Sequence, residues 1–212
     1  MGEIVKRMES LSDRALCTSF WACSTLGYDP TLWSALLDEA GWRVHSFDAQ
    51  SLSTIVWACT MLEYNPREEL VKAVLEEAWT KIDSFGDLAL SNSLWACAKL
   101  GYDPGAELWR DFLEEARRKL HSFGIQALCK ILWACAKLGR DPGEDLLYAF
   151  LDETMKKISS CKPHELSHIA WACAKLHHHP GEKFLAALME QIGNTMTFAS
   201  AEDLANSLWA LA

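Results

Sequence analysis

Residues 90–105 read LSNSLWACAKLGYDPG, and the fold follows from how this stretch is built and how often it returns. Its apolar residues, Leu90, Leu94, Trp95, Cys97, Ala98 and Leu100, recur at helical rather than alternating spacing, which predicts a helix from about Asp87 with one apolar face. Gly101 stands where a helix end needs a left-handed residue. Asp103-Pro104 reads as the N-cap and first turn of a second helix. A carboxylate accepts the free backbone N–H groups there, and proline has no N–H to leave unpaired. That second helix is expected to run to about Leu120, with Leu108, Trp109, Phe112, Leu113, Ala116 and Leu120 on one broad face. A turn this short makes the two helices an antiparallel hairpin.

Outward from this stretch, tryptophan recurs at 21, 57, 95, 133, 171 and 209, separated first by 36 residues and then by 38. Each sits in one phrase: FWACSTLGYDP, VWACTMLEYNP, LWACAKLGYDP, LWACAKLGRDP, AWACAKLHHHP and a final LWALA. Such self-similarity means a stack of supersecondary units. The shorter first interval reflects two residues missing after Pro30, so Leu32 and Trp33 align with Leu108 and Trp109. Asn65-Pro66 and Asp141-Pro142 repeat the capping device, and His179-Pro180 weakens it, histidine being a poor cap. The expected architecture is all-α, an α-α superhelix (solenoid) of 38-residue helix pairs forming one array over 1–212. It holds five pairs (about 10–47, 48–85, 86–123, 124–161 and 162–198) and the first helix of a sixth (199–212). Neither end resembles a polar capping repeat, so the chain reads as a segment of a longer array.

Composition agrees. The 212 residues are 50% hydrophobic and 23% charged, the balance of a folded chain rather than a disordered one. No apolar run is long enough to span a membrane, and MGEIVKRMES lacks the apolar core of a secretory signal. Of the eight cysteines, Cys23, Cys59, Cys97, Cys135 and Cys173 each follow a tryptophan by two, which marks small buried core residues. Cys17 and Cys129 precede one by four, and Cys161 replaces the phenylalanine seen at 47, 85 and 123. No C-x-x-C spacing suggests a redox or metal role.

Positions within the first helix separate by role. Leucine stands five before the tryptophan in every copy: Leu16, Leu52, Leu90, Leu128, Leu166 and Leu204. With the positions one before and two, three and five after, it forms the core arc. The tryptophan lies at the edge of that arc and is expected to pack between repeats. The opposite arc holds the alanines that follow it (Ala22, Ala58, Ala96, Ala134, Ala172, Ala210), read as a shallow open strip. Three before the tryptophan stand Thr18, Thr54, Asn92, Lys130, His168 and Asn206, always polar and varied among the copies. Seven before stand Arg14, Gln50, Leu88, Gln126, His164 and Glu202, and four after stand Thr25, Met61, Lys99, Lys137 and Lys175. A constant framework with one varying polar position per unit is what a modular reader of a linear ligand requires. Donors and acceptors of this kind read base edges, and lysines on the same stripe hold phosphates.

The net charge of −9 runs against nucleic-acid binding, but the acid lies mainly on second helices. Glu68, Glu69, Glu76, Glu77, Glu114 and Glu115 read there as solvated faces with i,i+4 partners. The first helices are near neutral and carry Lys99, Lys137 and Lys175, with Lys130 beside them. Three or four phosphate contacts would give a salt slope on the order of −2 to −3.

LSNSLWACAKLGYDPG (90–105) and LANSLWALA (204–212) resemble the octotricopeptide repeats. They are equally similar to the repeats preceding the RAP domain of organellar proteins and to the leucine-rich region of FAST-kinase-like mitochondrial proteins. The resemblance covers about residues 10–212. It implies a helical stack that binds single-stranded organellar RNA, about one base per repeat, on a surface lined by first helices. It also implies control of RNA stability, processing or translation in mitochondria or plastids, beside other proteins of an organellar ribonucleoprotein. No RAP domain is present in this stretch and no transit peptide precedes the first repeat, so location is implied by kinship alone.

His164-Glu165-Leu166-Ser167-His168 matches H-E-x-x-H, with two histidines four apart for zinc and a glutamate base. The blander reading is stronger: these are the varying positions of their repeat around the obligatory Leu166, and no third ligand is evident. No glycine-rich phosphate loop or nucleophile–base set occurs. The expectation is a binding protein without catalysis, cofactor, metal, membrane or small-molecule substrate. The alternatives are a scaffold for an extended peptide in the same groove and, remotely, a zinc hydrolase at 164–168.

Overall fold

The computed structural model describes residues 7–26, 30–61 and 68–211. Among them are eleven α-helices and no strand. They are α1 (Asp13–Leu26), α2 (Pro30–Trp42), α3 (Ala49–Met61), α4 (Glu68–Thr80), α5 (Asp87–Leu100), α6 (Ala106–Arg118), α7 (Ile125–Leu138), α8 (Glu144–Met155), α9 (Pro163–Lys175), α10 (Glu182–Thr195) and α11 (Ala201–Leu211). Odd-numbered helices carry the tryptophan phrase; even-numbered ones are their hairpin partners. A three-residue 3-10 turn leads from each even helix to the next odd one: Val44–Ser46, Ile82–Ser84, Leu120–Ser122, Ile158–Ser160 and Met196–Phe198. The expected all-α helix-pair fold is present.

The chain packs as two compact units, 1–112 and 113–212, with the boundary inside α6. In the first unit α1, α3 and α5 lie side by side as one layer, and α2 contacts α4 in a second layer. In the second unit α7, α9 and α11 form the first layer, and α8 and α10 touch in the other. Between the layers lies the core. Leu16, Leu52, Leu90, Leu128 and Leu166 are fully buried, as are Phe47, Phe85 and Phe123 at the ends of the 3-10 turns. Each large side chain so buried contributes roughly 1.5–3 kcal/mol. All eight cysteines are buried free thiols. Burial pushes those of Cys59, Cys97, Cys135 and Cys173 up to about 12.

Four details correct the sequence expectations. The alanines after the tryptophan do not form an open strip: Ala58, Ala96, Ala134 and Ala172 are fully buried. First helices contact one another more extensively than their own hairpin partners. A side chain about 100° round from the tryptophan points along that layer, not out of it. A methyl group there lets helices such as α3 and α9, each flanked on both sides within its unit, approach closely.

The turn chemistry also differs. Gly101 and Gly139 do end their helices in the left-handed region, at φ 67° and 64°, and His177 does the same at φ 54°. The second helices α6, α8 and α10, however, begin later than a cap at the residue before proline would place them, whereas α2 begins at Pro30 itself. Asp103 Oδ1 accepts the Gly105 N–H at 2.9 Å, and Asp141 Oδ1 accepts that of Gly143 at 2.8 Å. The aspartates therefore close a turn before the helix, and Gly143 at φ 86° occupies the N-cap of α8. His179 is no weaker variant, because its Nδ1 accepts the Gly181 N–H at 3.1 Å in the same way. The Asn65-Pro66 pair lies outside the described residues.

Third, the acidic pairs on second helices are not all solvated. Glu114 faces solvent, but Glu39, Glu115 and Glu153 are buried, and with Glu77 they recur every 38 residues. Each pairs with the cation four residues on: Arg43, Lys81, Lys119 and Lys157. Three of these cations reach back to the preceding turn. Lys81 Nζ donates to Phe47 O at 2.7 Å and Lys157 Nζ to Phe123 O at 2.7 Å, while Arg43 donates to Leu11 O at 2.7 Å. His45 Nδ1 meets Glu77 Oε2 at 2.5 Å, and His121 Nδ1 meets Glu153 Oε2 at 3.2 Å. The result is a staple between consecutive helix pairs. The lysine and histidine contacts hold the Glu77 carboxyl below its usual range; Lys156, Lys157 and His121 hold that of Glu153 at about 2.

The fourth correction concerns the tryptophans themselves, which shape the site.

Candidate nucleic-acid interface

On an α-helix, residues seven before, four after and three before a given residue fall about 20°, 40° and 60° round from it. The tryptophan therefore shares a stripe with the varying polar positions, and the structure places it there. Trp21 is 52% exposed and Trp209 56% exposed, while Trp57, Trp95, Trp133 and Trp171 are partly exposed. They also pack between repeats, as expected: the rings of Trp133 and Trp171 lie 6.2 Å apart, tilted by 33°. Both roles hold because the stripe runs along the outer ridge of the first-helix layer.

Of the residues three before the tryptophan, Thr18 is exposed, and Thr54, Lys130, His168 and Asn206 are partly exposed. Asn92 is the exception, at 8%. Gln50, Gln126 and His164, seven before, are exposed, as are Lys99, Lys137 and Lys175, four after. Lys99 Nζ stands 5.7 Å above the Trp95 ring, a cation–π contact. Burial lowers the pKa of Lys130.

The structure brings several of these together. Between α1 and α3 runs a groove of about 830 Å3, lined by Arg14, Thr18, Trp21, Gln50 and Thr54, together with Ser12, Asp13, Cys17, Ser46, Asp48 and Ser51. Its size falls in the ~300–1,000 Å3 range of small-ligand clefts. Thr18 and Thr54 hydroxyls donate to the carbonyls of Arg14 and Gln50, each at 2.8 Å, which leaves their oxygen lone pairs as acceptors. Gln50 Nε2 lies 3.4 Å from Thr54 Oγ1. Both acids of the groove are engaged. Asp13 pairs with Arg43, and Asp48 caps α3 through the Ser51 N–H at 2.8 Å, its pKa lowered by its hydrogen bonds from Ser51.

In the second unit His164 and His168 meet edge to face with ring centroids 6.2 Å apart, and His168 lies 5.8 Å from the Trp133 ring. Glu165 is buried and turns back, its Oε2 accepting the Lys162 N–H at 2.7 Å. The glutamate of the H-E-x-x-H match thus serves the start of α9. Among the described residues no group of three or more histidine, cysteine, aspartate and glutamate side chains converges as metal ligands would. The tryptophans lie on the same stripe as the candidate residues, where the same angular arithmetic places them.

In each unit, a layer of first helices with a constant frame and a varying polar ridge defines a helical-repeat protein. Residues 81–212 match the family described as Tbc2 translation factor, N-terminal domain, and the chain belongs to that family. No curated protein matches the chain significantly. No helix among the described residues is long and apolar enough to cross a membrane.

Proposed function

We propose that this chain is a non-catalytic RNA-binding module of an organellar gene-expression factor, holding single-stranded RNA along its first helices. One observation carries the reading: within each unit, exposed lysine and varying polar side chains share the outer ridge of the first helices, in a chain of a translation-factor family. Thr18, Thr54, Lys130, His168, Asn206, Gln50, Gln126 and His164 supply base contacts, and Lys99, Lys137 and Lys175 supply phosphate contacts, whereas Asn92 is buried and supplies none as it stands. The octotricopeptide resemblance supports action on RNA stability, processing or translation in mitochondria or plastids, beside other proteins of a ribonucleoprotein.

The test is the triple change Lys99, Lys137 and Lys175→Ala, with binding to a labelled single-stranded RNA pool followed by anisotropy at several salt concentrations. Each lost phosphate contact on a single strand flattens the slope of log K against log salt by about 0.7, so the triple variant should flatten it by about 2 and weaken binding for all sequences alike. An unchanged slope and affinity would refute the phosphate role.

A further inference from the structure

We infer that the tryptophan ridge is a base-stacking surface, and that each base site is shared by two successive repeats. The tryptophan of one repeat forms the floor, and the polar residues three and seven before the next tryptophan form the edge. This deepens the RNA-binding reading and rests on it.

Three observations point the same way. In the first unit, the groove between α1 and α3 joins Trp21 from one repeat with Gln50 and Thr54 from the next. An indole half open to solvent, beside hydroxyl and carboxamide groups and the guanidinium of Arg14, matches the chemistry of a nucleotide: a π-face, a hydrogen-bonding edge and a phosphate. Base–aromatic stacking tolerates every base because each has a π-face, while the edge groups discriminate.

In the second unit the same relation recurs with a different occupant. His168 stands in its repeat where Thr54 stands in an earlier one, and its imidazole lies 5.8 Å from the Trp133 ring with the planes 36° apart. A planar heterocycle thus already covers the tryptophan at the place left open above Trp21. The next tryptophan, Trp171, continues the tilted stack at 6.2 Å. On the ridge of the first unit, Lys99 covers the Trp95 ring as a cation would cover a base. Finally, of the groove's acids, Asp13 is paired with the Arg43 guanidinium, while Asp48 keeps its charge turned to the start of α3, which leaves the Arg14 side of the groove for a phosphate.

The sharing has a consequence for specificity. Altering Thr54 changes the preference at the base stacked on Trp21, one repeat earlier, and not at the base stacked on Trp57. Trp21→Leu removes the floor without removing a charge, whereas Trp21→Phe keeps a π-face.

The experiment uses the full chain and three probes at low salt: twelve-nucleotide oligo(A), twelve-nucleotide oligo(U), and a ribose-phosphate twelve-mer of equal charge lacking bases. Circular dichroism checks each variant's fold, and Trp42→Leu, exposed on α2, is the control. The expected result is that the abasic strand, which loses stacking at several sites at once, binds at least roughly a hundred-fold more weakly than oligo(A). Trp21→Leu should weaken oligo(A) and oligo(U) by about five- to ten-fold, with Trp21→Phe close to wild type and the abasic strand unaffected. If oligo(A) and the abasic strand bind equally, or if Trp21→Leu matches Trp42→Leu, stacking is overturned and RNA binding stands on its phosphates. If none of the probes binds, the RNA reading itself fails and this inference fails with it.

Discussion

Replacing Glu153 with glutamine tests the staple between consecutive helix pairs. The wild-type carboxylate accepts from Lys157, from Lys156 at 2.8 Å and from His121 at 3.2 Å, while Lys157 also donates to Phe123 O at 2.7 Å. These contacts are unequal. The Lys156 and His121 side chains are largely exposed, so their share is screened and small. Lys157 is mostly covered and ties two repeats together, and a charge-assisted bond of that kind is worth about 1.5–3 kcal/mol. Glutamine keeps the shape but turns an acceptor into a donor facing an ammonium group. The expected loss is about 2 kcal/mol, or a fall in melting temperature of roughly 4–8 °C for a chain of this size.

The pH dependence gives the argument its sharper edge. The Glu153 carboxyl is held at about 2 in the fold, chiefly by the lysines, against about 4.3 in an unfolded chain. A depressed acid contributes its full stabilisation above the unfolded value and loses it as pH falls through the folded one. Urea unfolding of wild type and Glu153→Gln should therefore differ by about 2 kcal/mol at pH 7, and the gap should close between about pH 4.5 and pH 2. Hydrogen exchange should show the lost protection concentrated near Phe123, because coupling in a repeat stack is between neighbours. Glu114→Gln, on the solvent side of the same kind of helix, is the control. The reasoning fails if both variants are equally stable at pH 7, or if the Glu153→Gln deficit persists unchanged at pH 2.

Other outcomes follow from the same packing. Ala134→Leu forces three extra heavy atoms into a fully buried flank and should cost about 1–3 kcal/mol in urea unfolding; an unaltered midpoint would mean the alanines are not a packing seam. Gly101→Ala places a side chain at φ 67° and should cost roughly 1–2 kcal/mol although its Cβ meets nothing within 4 Å. The Cys135 thiol, fully buried and pushed up to about 12, should resist alkylation at pH 8 in the native chain and react at once in urea, with mass spectrometry as the readout.

What was legible in the sequence was whatever chemistry leaves only one reading. Leucine at a fixed place on a helical period has no use on a wet surface, and Leu16 through Leu166 are buried accordingly. Gly101 announced a helix end because few other residues adopt that backbone. Alanine carries no such mark: a methyl group suits an open strip and a tight seam equally, and only the packing of first helix on first helix decides for the seam. The Glu-Lys pairs misled for a related reason. An i,i+4 pair is normal on an exposed helix, and nothing in Glu76-Glu77 or Glu114-Glu115 says which carboxylate turns inward. The recurrence of Glu39, Glu77, Glu115 and Glu153 with a cation four residues on carried that information at the level of the repeat.

The seam and the ridge are one device. Alanine at the flank lets neighbouring first helices draw close, and that closeness sets a tryptophan of one repeat against the varying residue of the next. His168 against Trp133 and Thr54 across from Trp21 are two outcomes of this single arrangement. A larger flank residue would separate the helices and split the shared groove into isolated halves. In the proposed function the constant alanine therefore bears on recognition as directly as the polar residues do, although it touches no ligand. Variation is tolerated three before the tryptophan because that position lies on the rim of the groove, where a side chain can change without disturbing the seam beneath it.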